Sequence, residues 1–214
     1  MNEASILLIF MTSFAVAFSG AVMPGPVLAL TIDGTVRYGF RAGPLIVLGH
    51  GILELALVIA LVMGLSQFIG NEFVFGVVGT IGGITLVVMG LLTVRQVWRK
   101  AELPLPTINK AQHRALLLSG ILVSASNPYW LIWWATIGIT YLCWSLKLGA
   151  VGITSFFTGH ILADLIWYAL VAFIIVKGKR LLNAARYRFC LIVCAVALIV
   201  LGGYFVSSGI RYFI

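Results

Sequence analysis

Six long apolar runs constrain this chain more than any other feature. They lie near Ala4–Leu30, Ala42–Ile69, Phe73–Val94, Ala115–Leu146, Ala150–Val176 and Phe189–Ile210. A bilayer-spanning helix needs only about 20 mostly apolar residues. Strands of a membrane barrel would instead read as short alternating segments, which these runs are not. Charged residues make up 9% of the chain, against about 25% in soluble domains. The expected fold is therefore an all-α integral membrane protein, with six transmembrane helices in a single domain over residues 1–214. The first run follows Asn2 and Glu3 with no basic residue and extends past the length of a signal-peptide core, so it reads as a retained helix.

The net charge of +8 would raise nucleic acid as a partner of a soluble chain, but here its placement matters more than its sum. Arg37 and Arg41 fall in the connection Ile32–Arg41. Five basic residues fall in Arg95–Arg114 and five more in Lys177–Arg188, so alternate connections hold twelve of the fourteen. The other side has Lys147 and Arg211, with Glu72 in its second connection. By the positive-inside rule the basic connections are cytoplasmic. Both termini are then outside, in a multi-pass protein of the cytoplasmic membrane whose surroundings are the lipid bilayer and not nucleic acid. Cys143, Cys190 and Cys194 lie in apolar sequence and read as small packing residues, although Cys190 and Cys194 share a helix face.

An internal repeat emerges when the fifth run is laid beside the second. Gly49-His50-Gly-Ile-Leu-Glu54 corresponds to Gly159-His160-Ile-Leu-Ala-Asp164, each a Gly-His-x-x-x-acid sequence. The run before each is interrupted by proline, at Pro24-Gly25-Pro26 in the first and at Asn127-Pro128 in the fourth. The chain thus divides into two halves of three helices, roughly 1–100 and 105–214. Three is odd, so the second half is inverted, the inverted-topology repeat of many secondary transporters.

Proline removes a helical hydrogen bond and clashes with the preceding turn, so helices 1 and 4 are expected to break there. Backbone freed at membrane depth is tolerated only in protein or beside a wet cavity, where half-helix ends offer dipoles to ligands. Glu54 and Asp164 are the only acids deep in the spans. Such groups face the bundle and mark substrate or proton paths. His50 and His160 precede them by four residues, one turn away on the same face, which suits a proton relay or a metal site equally. Tyr129, Trp130, Trp133 and Trp134 follow the second break, and Trp167 and Tyr168 follow Asp164; some are candidates to hold an ammonium group through cation–π contact. Tyr141 and Trp144 fit an outer interfacial belt, and Trp133 and Trp134 fit either role. Gly79, Gly82, Gly83, Gly90, Gly202 and Gly203 read as helix-packing positions. His113 reads as a solvated group in a cytoplasmic loop.

The sequence Met23-Pro24-Gly25-Pro26, Arg41-x-Gly43, Asn127-Pro128 and Asp164-x-x-Trp167-Tyr168 resembles the lysine exporter (LysE/RhtB) family of amino-acid exporters, and the likeness runs over essentially the whole chain. It implies export of amino acids or related small metabolites, in exchange for protons, with no cofactor and no catalysed reaction. The implied substrate or proton site gathers Glu54, Asp164, His50, His160, Pro24, Gly25, Pro26, Asn127, Pro128, Tyr129 and Tyr168. Many members have Asn-Pro-Lys in the fourth helix; here Tyr129 follows Pro128, so no lysine contact carries over. Wider relatives carry cadmium or nickel, and His50, Glu54, His160 and Asp164 could ligate such an ion instead. A non-transporting structural protein and a homo-oligomer remain open. No His-Glu-x-x-His or Gly-Lys-Ser/Thr sequence is present, which speaks against a membrane metalloprotease and direct ATP hydrolysis. An intramembrane thiol reductase would want cysteine beside the proline breaks, where this chain has none.

Overall fold

The computed structural model describes residues 3–64, 72–99, 110–178 and 184–211, and among these the regular structure is all helical. The helices are α1 (Glu3–Ala21), α2 (Pro26–Tyr38), α3 (Ala42–Val62), α4 (Glu72–Trp98), α5 (Lys110–Ala125), α6 (Pro128–Trp133), α7 (Ile139–Leu146), α8 (Gly149–Lys177) and α9 (Ala184–Ile210), with a π-helical segment, Trp134–Gly138, between α6 and α7. Four helices are long and apolar enough to cross a membrane, and a fifth span forms if Gln112–Ala125 and Pro128–Leu146 count as one, bent by 62°. The shorter apolar stretch of α4 is Gly79–Arg95. The protein is a multi-pass membrane protein. Lys100, Glu102, Lys179 and Arg180 lie outside the described residues, as does the boundary drawn between the two halves.

Both breaks fall where proline places them. Helix α1 ends at Ala21 and α2 begins at Pro26, while α5 ends at Ala125 and α6 begins at Pro128. Proline suits the first helical position because its missing N–H has no intrahelical role there. Gly25 precedes α2 in extended conformation without a side-chain cap, whereas the Asn127 side chain caps α6 by accepting from Tyr129 N–H at 3.1 Å. The first run does not stop at Leu30. Helix α2 carries it on to Tyr38, so most of the expected connection Ile32–Arg41 is helix, and Arg37 pairs with Asp33 one turn back at 2.7 Å. Gly39, at φ 78, stops α2; a β-carbon is disfavoured in that region. His113 is likewise in the first turn of α5 and half-buried, with Nε2 enclosed and unpartnered, rather than solvated in a loop.

Glycine decides which helices touch. A β-carbon on Gly49 of α3 would overlap the Leu117 carbonyl of α5, and one on Gly120 of α5 would overlap the Ile46 carbonyl of α3. Gly159 of α8 faces the Phe10 carbonyl of α1 at 2.6 Å from its notional β-carbon. Two serines add to that second contact: Ser13 Oγ donates to the Phe156 carbonyl and Ser155 Oγ to the Ile6 carbonyl, each at 2.8 Å. Helices α4 and α9 pair through Gly83 and Gly202, each meeting the other's carbonyl at 2.7 Å, with Gly79 and Gly90 also in the seam. Gly82 instead abuts Pro128 at 2.8 Å. Gly203 departs from expectation: nothing lies within 4 Å of it, because its face turns outward. Of the cysteines, Cys194 is buried, while Cys143 and Cys190 are exposed rather than packed; all three are free.

The seam between α3 and α5 is thus set by backbone approach that only glycine allows. Gly49→Ala and Gly120→Ala should each destabilise the protein by about 1–3 kcal/mol through overpacking, read as a lower Tm in detergent. Gly203→Ala should leave the Tm unchanged or raise it slightly.

Candidate functional site

The two Gly-His-x-x-x-acid sequences meet. Their glycines let α3 and α8 settle closely against α5 and α1, and the i,i+4 spacing places each histidine and acid on one face. The two faces oppose each other. His50 Nε2 lies 3.1 Å from Glu54 Oε1 and 3.5 Å from Asp164 Oδ2. His160 Nε2 lies 3.1 Å from Glu54 Oε2 and 3.7 Å from Asp164 Oδ2. All four side chains are buried, Glu54 to 1% exposure. Each imidazole therefore bridges an acid of its own helix and one of the other.

The second break completes the cluster. Pro128 starts α6 so that Trp130 and Trp134, four residues apart, both point their indoles at Glu54: each Nε1–H donates to Oε1 at 2.9 Å. His160 Nε2 shares that oxygen at 3.2 Å. Gly138 makes room for this, since a β-carbon there would stand 2.6 Å from the Trp134 ring. The π-helical turn is a feature frequent at functional sites. His50 Nδ1 lies 2.7 Å from Ser124 Oγ of α5. With the serine donating, the network assigns the His50 proton to Nε2, facing the acids.

A cavity of about 80 Å³ opens beside the cluster, against roughly 10–15 Å³ for one water on the same measure. His50, Glu54, His160 and Asp164 line it with Asn127, Tyr129, Trp130, Trp133 and Tyr168, and the small residues Ala17, Gly20 and Ala21 at the end of α1 leave it open. A neighbouring cavity of about 50 Å³ is lined by Pro24, Gly25 and Pro26, with Asn127, Tyr129 and Tyr168 common to both. Ten of the eleven expected site residues therefore adjoin these spaces. Pro128 does not; it packs on Gly82 and acts by starting α6.

The aromatic residues sort themselves differently from the sequence pattern. Trp133 and Trp134 are 9% and 1% exposed, so they wall the site and do not form an interfacial belt; the Trp133 ring sits 4.6 Å from that of His160. Tyr141 is half-buried and stacks on Phe156 at 5.9 Å, while Trp144 is exposed as a belt residue would be. Trp167 packs edge-on to Phe18 at 5.8 Å, outside the cavity. Tyr168 lines the cavity and donates to the Ala21 carbonyl at 3.4 Å, at the broken end of α1. Ser124 and the two indole donors were not legible beforehand. A serine in an apolar run carries no positional signal, and Trp130 and Trp134 were candidates for cation–π contact, Trp134 also for a belt, with nothing in their spacing to point their N–H groups at Glu54.

Donor atoms of His50, Glu54, His160 and Asp164 all lie within 4.8 Å of one another. Two imidazole nitrogens and two carboxylates are ligand types of a zinc-like ion bound at about 2.0–2.2 Å, with His–acid separations of 3.1–3.7 Å. The same arrangement, without an ion, is a cluster of groups that can carry protons, hydrogen-bonded at Glu54 Oε1 and open at Asp164 Oδ2.

Broken helices around a cavity lined by four ionisable groups are the architecture of membrane transport proteins. Residues 18–209 match the family described as LysE type translocator, and the chain belongs to that family. It is 26% identical over 204 residues to the "Putative amino acid efflux protein YcgF" of Bacillus subtilis, covering 95% of this chain and 97% of the relative. It is 27% identical over 206 residues to the "Chemotactic transduction protein ChpE" of Pseudomonas aeruginosa, covering 92% and 97%. No solved structure matches the chain.

Removing the Ser124 hydroxyl leaves a buried imidazole nitrogen unpaired. Ser124→Ala should cost about 1–3 kcal/mol, measured by thermal unfolding in detergent, and Ser124→Thr, which keeps the hydroxyl, should recover most of it.

Proposed function

We propose that this translocator exports an amino acid or similar small metabolite across the cytoplasmic membrane in exchange for protons. One observation carries the proposal: two acids and two histidines share a small cavity between two proline-broken helices. The acids face the ammonium group or the coupling proton in turn, and the first turn of α2, behind Gly25 and Pro26, offers its positive dipole end to the substrate carboxylate. The aromatic walls favour a cationic group, and the printed name of the Bacillus subtilis relative points to the same substrate class. No covalent step is required of the protein.

In this reading the chain has six spans, with α1 and α2 forming one broken span and α5 to α7 another. The two halves are related by an inverted repeat. The packing supports that relation: α1 lies on α8, α3 on α5 and α8, and α4 on α9, so each half's first and second helices exchange partners with the other's. Export of a divalent metal ion is the second reading, favoured by the four donor atoms within 4.8 Å.

The topology follows from the basic residues. A reporter fused after Arg186 should be cytoplasmic and one after Leu148 external; finding both on one side would remove the six-span arrangement.

Transport is tested in proteoliposomes carrying a pH gradient, with labelled amino acids in one series and Zn²⁺ or Cd²⁺ in another. Gradient-driven movement of an amino acid is expected from the wild type. Glu54→Gln and Asp164→Asn, which keep size and delete the titratable group, should insert normally and lose it. Movement of metal alone would transfer the site to the second reading. Wild-type transport in both variants would make the carboxyls structural.

A further inference from the structure

The two acids of the cavity occupy unlike surroundings. Glu54 Oε1 accepts from two indoles that can only donate and lies within 3.2 Å of both histidine Nε2 atoms. The acceptor capacity of that oxygen is filled by the protein, while Glu54 Oε2, without a hydrogen bond of its own, has His160 Nε2 at 3.1 Å. Asp164 Oδ2 is buried with no hydrogen-bond partner. The nearest histidine nitrogens stand 3.5 and 3.7 Å away, beyond the range of a good N–H···O bond. A buried acceptor left in this condition is costly unless something else fills it.

The asymmetry is written in the two half-helices. Pro26 opens α2 as Pro128 opens α6. Counting two and six residues on from each proline gives Trp130 in α6 and Trp134 at the start of the π-helical turn, but Leu28 and Ile32 in α2. Helix α6 and the π-helical turn that continues it thus supply two N–H donors to Glu54, and α2 has no donor at either position to offer Asp164. Leu28 and Ile32 instead line a separate apolar crevice against α8 and α9. Glutamate is also one methylene longer than aspartate, the reach Glu54 uses to meet the indoles.

We propose that the acids divide the work: Glu54 is a positioning residue, clamped by Trp130 and Trp134, that aims His50 and His160, and Asp164 alone receives the primary ammonium group of the substrate. This rests on the export reading above and assigns that reading's ammonium site to one carboxylate. Trp133 and Tyr129, on the cavity wall, offer aromatic faces to the same cation. The second metal-ion reading would need both acids equally, so the division also separates the two.

The test uses the purified full chain and propylammonium, which carries the cationic group, lacks a carboxylate and is of a size to suit the cavity. Without ligand, Glu54→Gln and Trp134→Phe should lower the Tm by several degrees, and Asp164→Asn should leave it unchanged or raise it. Propylammonium should stabilise the wild type. Its affinity should fall about 10- to 100-fold in Asp164→Asn, the loss of a charged hydrogen bond. It should recover in Asp164→Glu and stay within about threefold in Trp134→Phe. In counterflow of an amino acid, Trp134→Phe should lower the maximal rate at constant KM, and Asp164→Asn should raise KM. Equal losses of affinity in Trp134→Phe and Asp164→Asn, full binding by Asp164→Asn, or no binding by the wild type would overturn the proposal. Those results with amino-acid transport intact would remove the division alone. A panel in which no amino acid moves would remove the export reading, while the stability contrast between the two acids would still stand or fall by itself.

Discussion

Two carboxyls and two imidazoles placed inside a span can be tolerated only if they are buried together. A lone ionisable group at membrane depth costs about 2.5 kcal/mol or more on insertion scales, and leaving one member of a buried charged set without its partner is more damaging still. The contacts among His50, Glu54, His160 and Asp164 are therefore the condition that the rest of the fold serves. Helices α3 and α8 must come together face to face, and each must first settle closely on a supporting helix. Gly49 and Gly159, immediately before the two histidines, make that possible by meeting carbonyls of α5 and α1 directly. The glycine and the histidine are two parts of one device, close approach followed by polar contact.

The helix breaks answer a second need of the same cluster. A continuous helix satisfies its own backbone and has little besides side chains to offer a neighbour. Interrupting α5 at Asn127 redirects the chain by 62° and brings Trp130 and Trp134 onto Glu54. The Asn127 side chain meets the new helix's need for a cap. On the other side, the end of α1 exposes the Ala21 carbonyl to Tyr168. Each break thus faces a residue of α3 or α8, and the cavity forms between them because the small residues Ala17, Gly20 and Ala21 do not fill it.

Much of this was legible in the sequence, for definite reasons. Long apolar runs mark the spans, proline within them breaks the helix, and acids deep inside them are rare enough to mark a site. The paired Gly-His-x-x-x-acid sequences identified all four members of the cluster before any contact was known. What stayed hidden was side-chain direction. A helix apolar on every face gives no periodic clue to which side is covered, so Gly202 in the seam and Gly203 outside it read alike. For the same reason Trp133 and Trp134 fitted a lipid interface as well as a buried wall. The extension of α2 to Tyr38 was masked by Asp33 and Arg37, whose charges suggest a loop but whose i,i+4 spacing forms an ion pair along a helix.

Repeating a design in both halves of a chain brings matched groups to one site, and it would also make that site indifferent to which group does what. Here the match is broken at particular atoms. One half supplies the longer acid and the other half supplies the indoles that hold it. The reverse arrangement is absent, since the other half-helix has leucine and isoleucine at the corresponding places. A carboxylate with one oxygen held by two indoles contributes a fixed geometry. One whose acceptor is enclosed and unpartnered contributes affinity for whatever donor enters. If the cavity binds and releases a cationic group, as proposed, it needs both, because a wholly satisfied cluster would bind nothing and a wholly unsatisfied one would not fold around an empty space. The proposed division between Glu54 and Asp164 would let the same four side chains meet both demands.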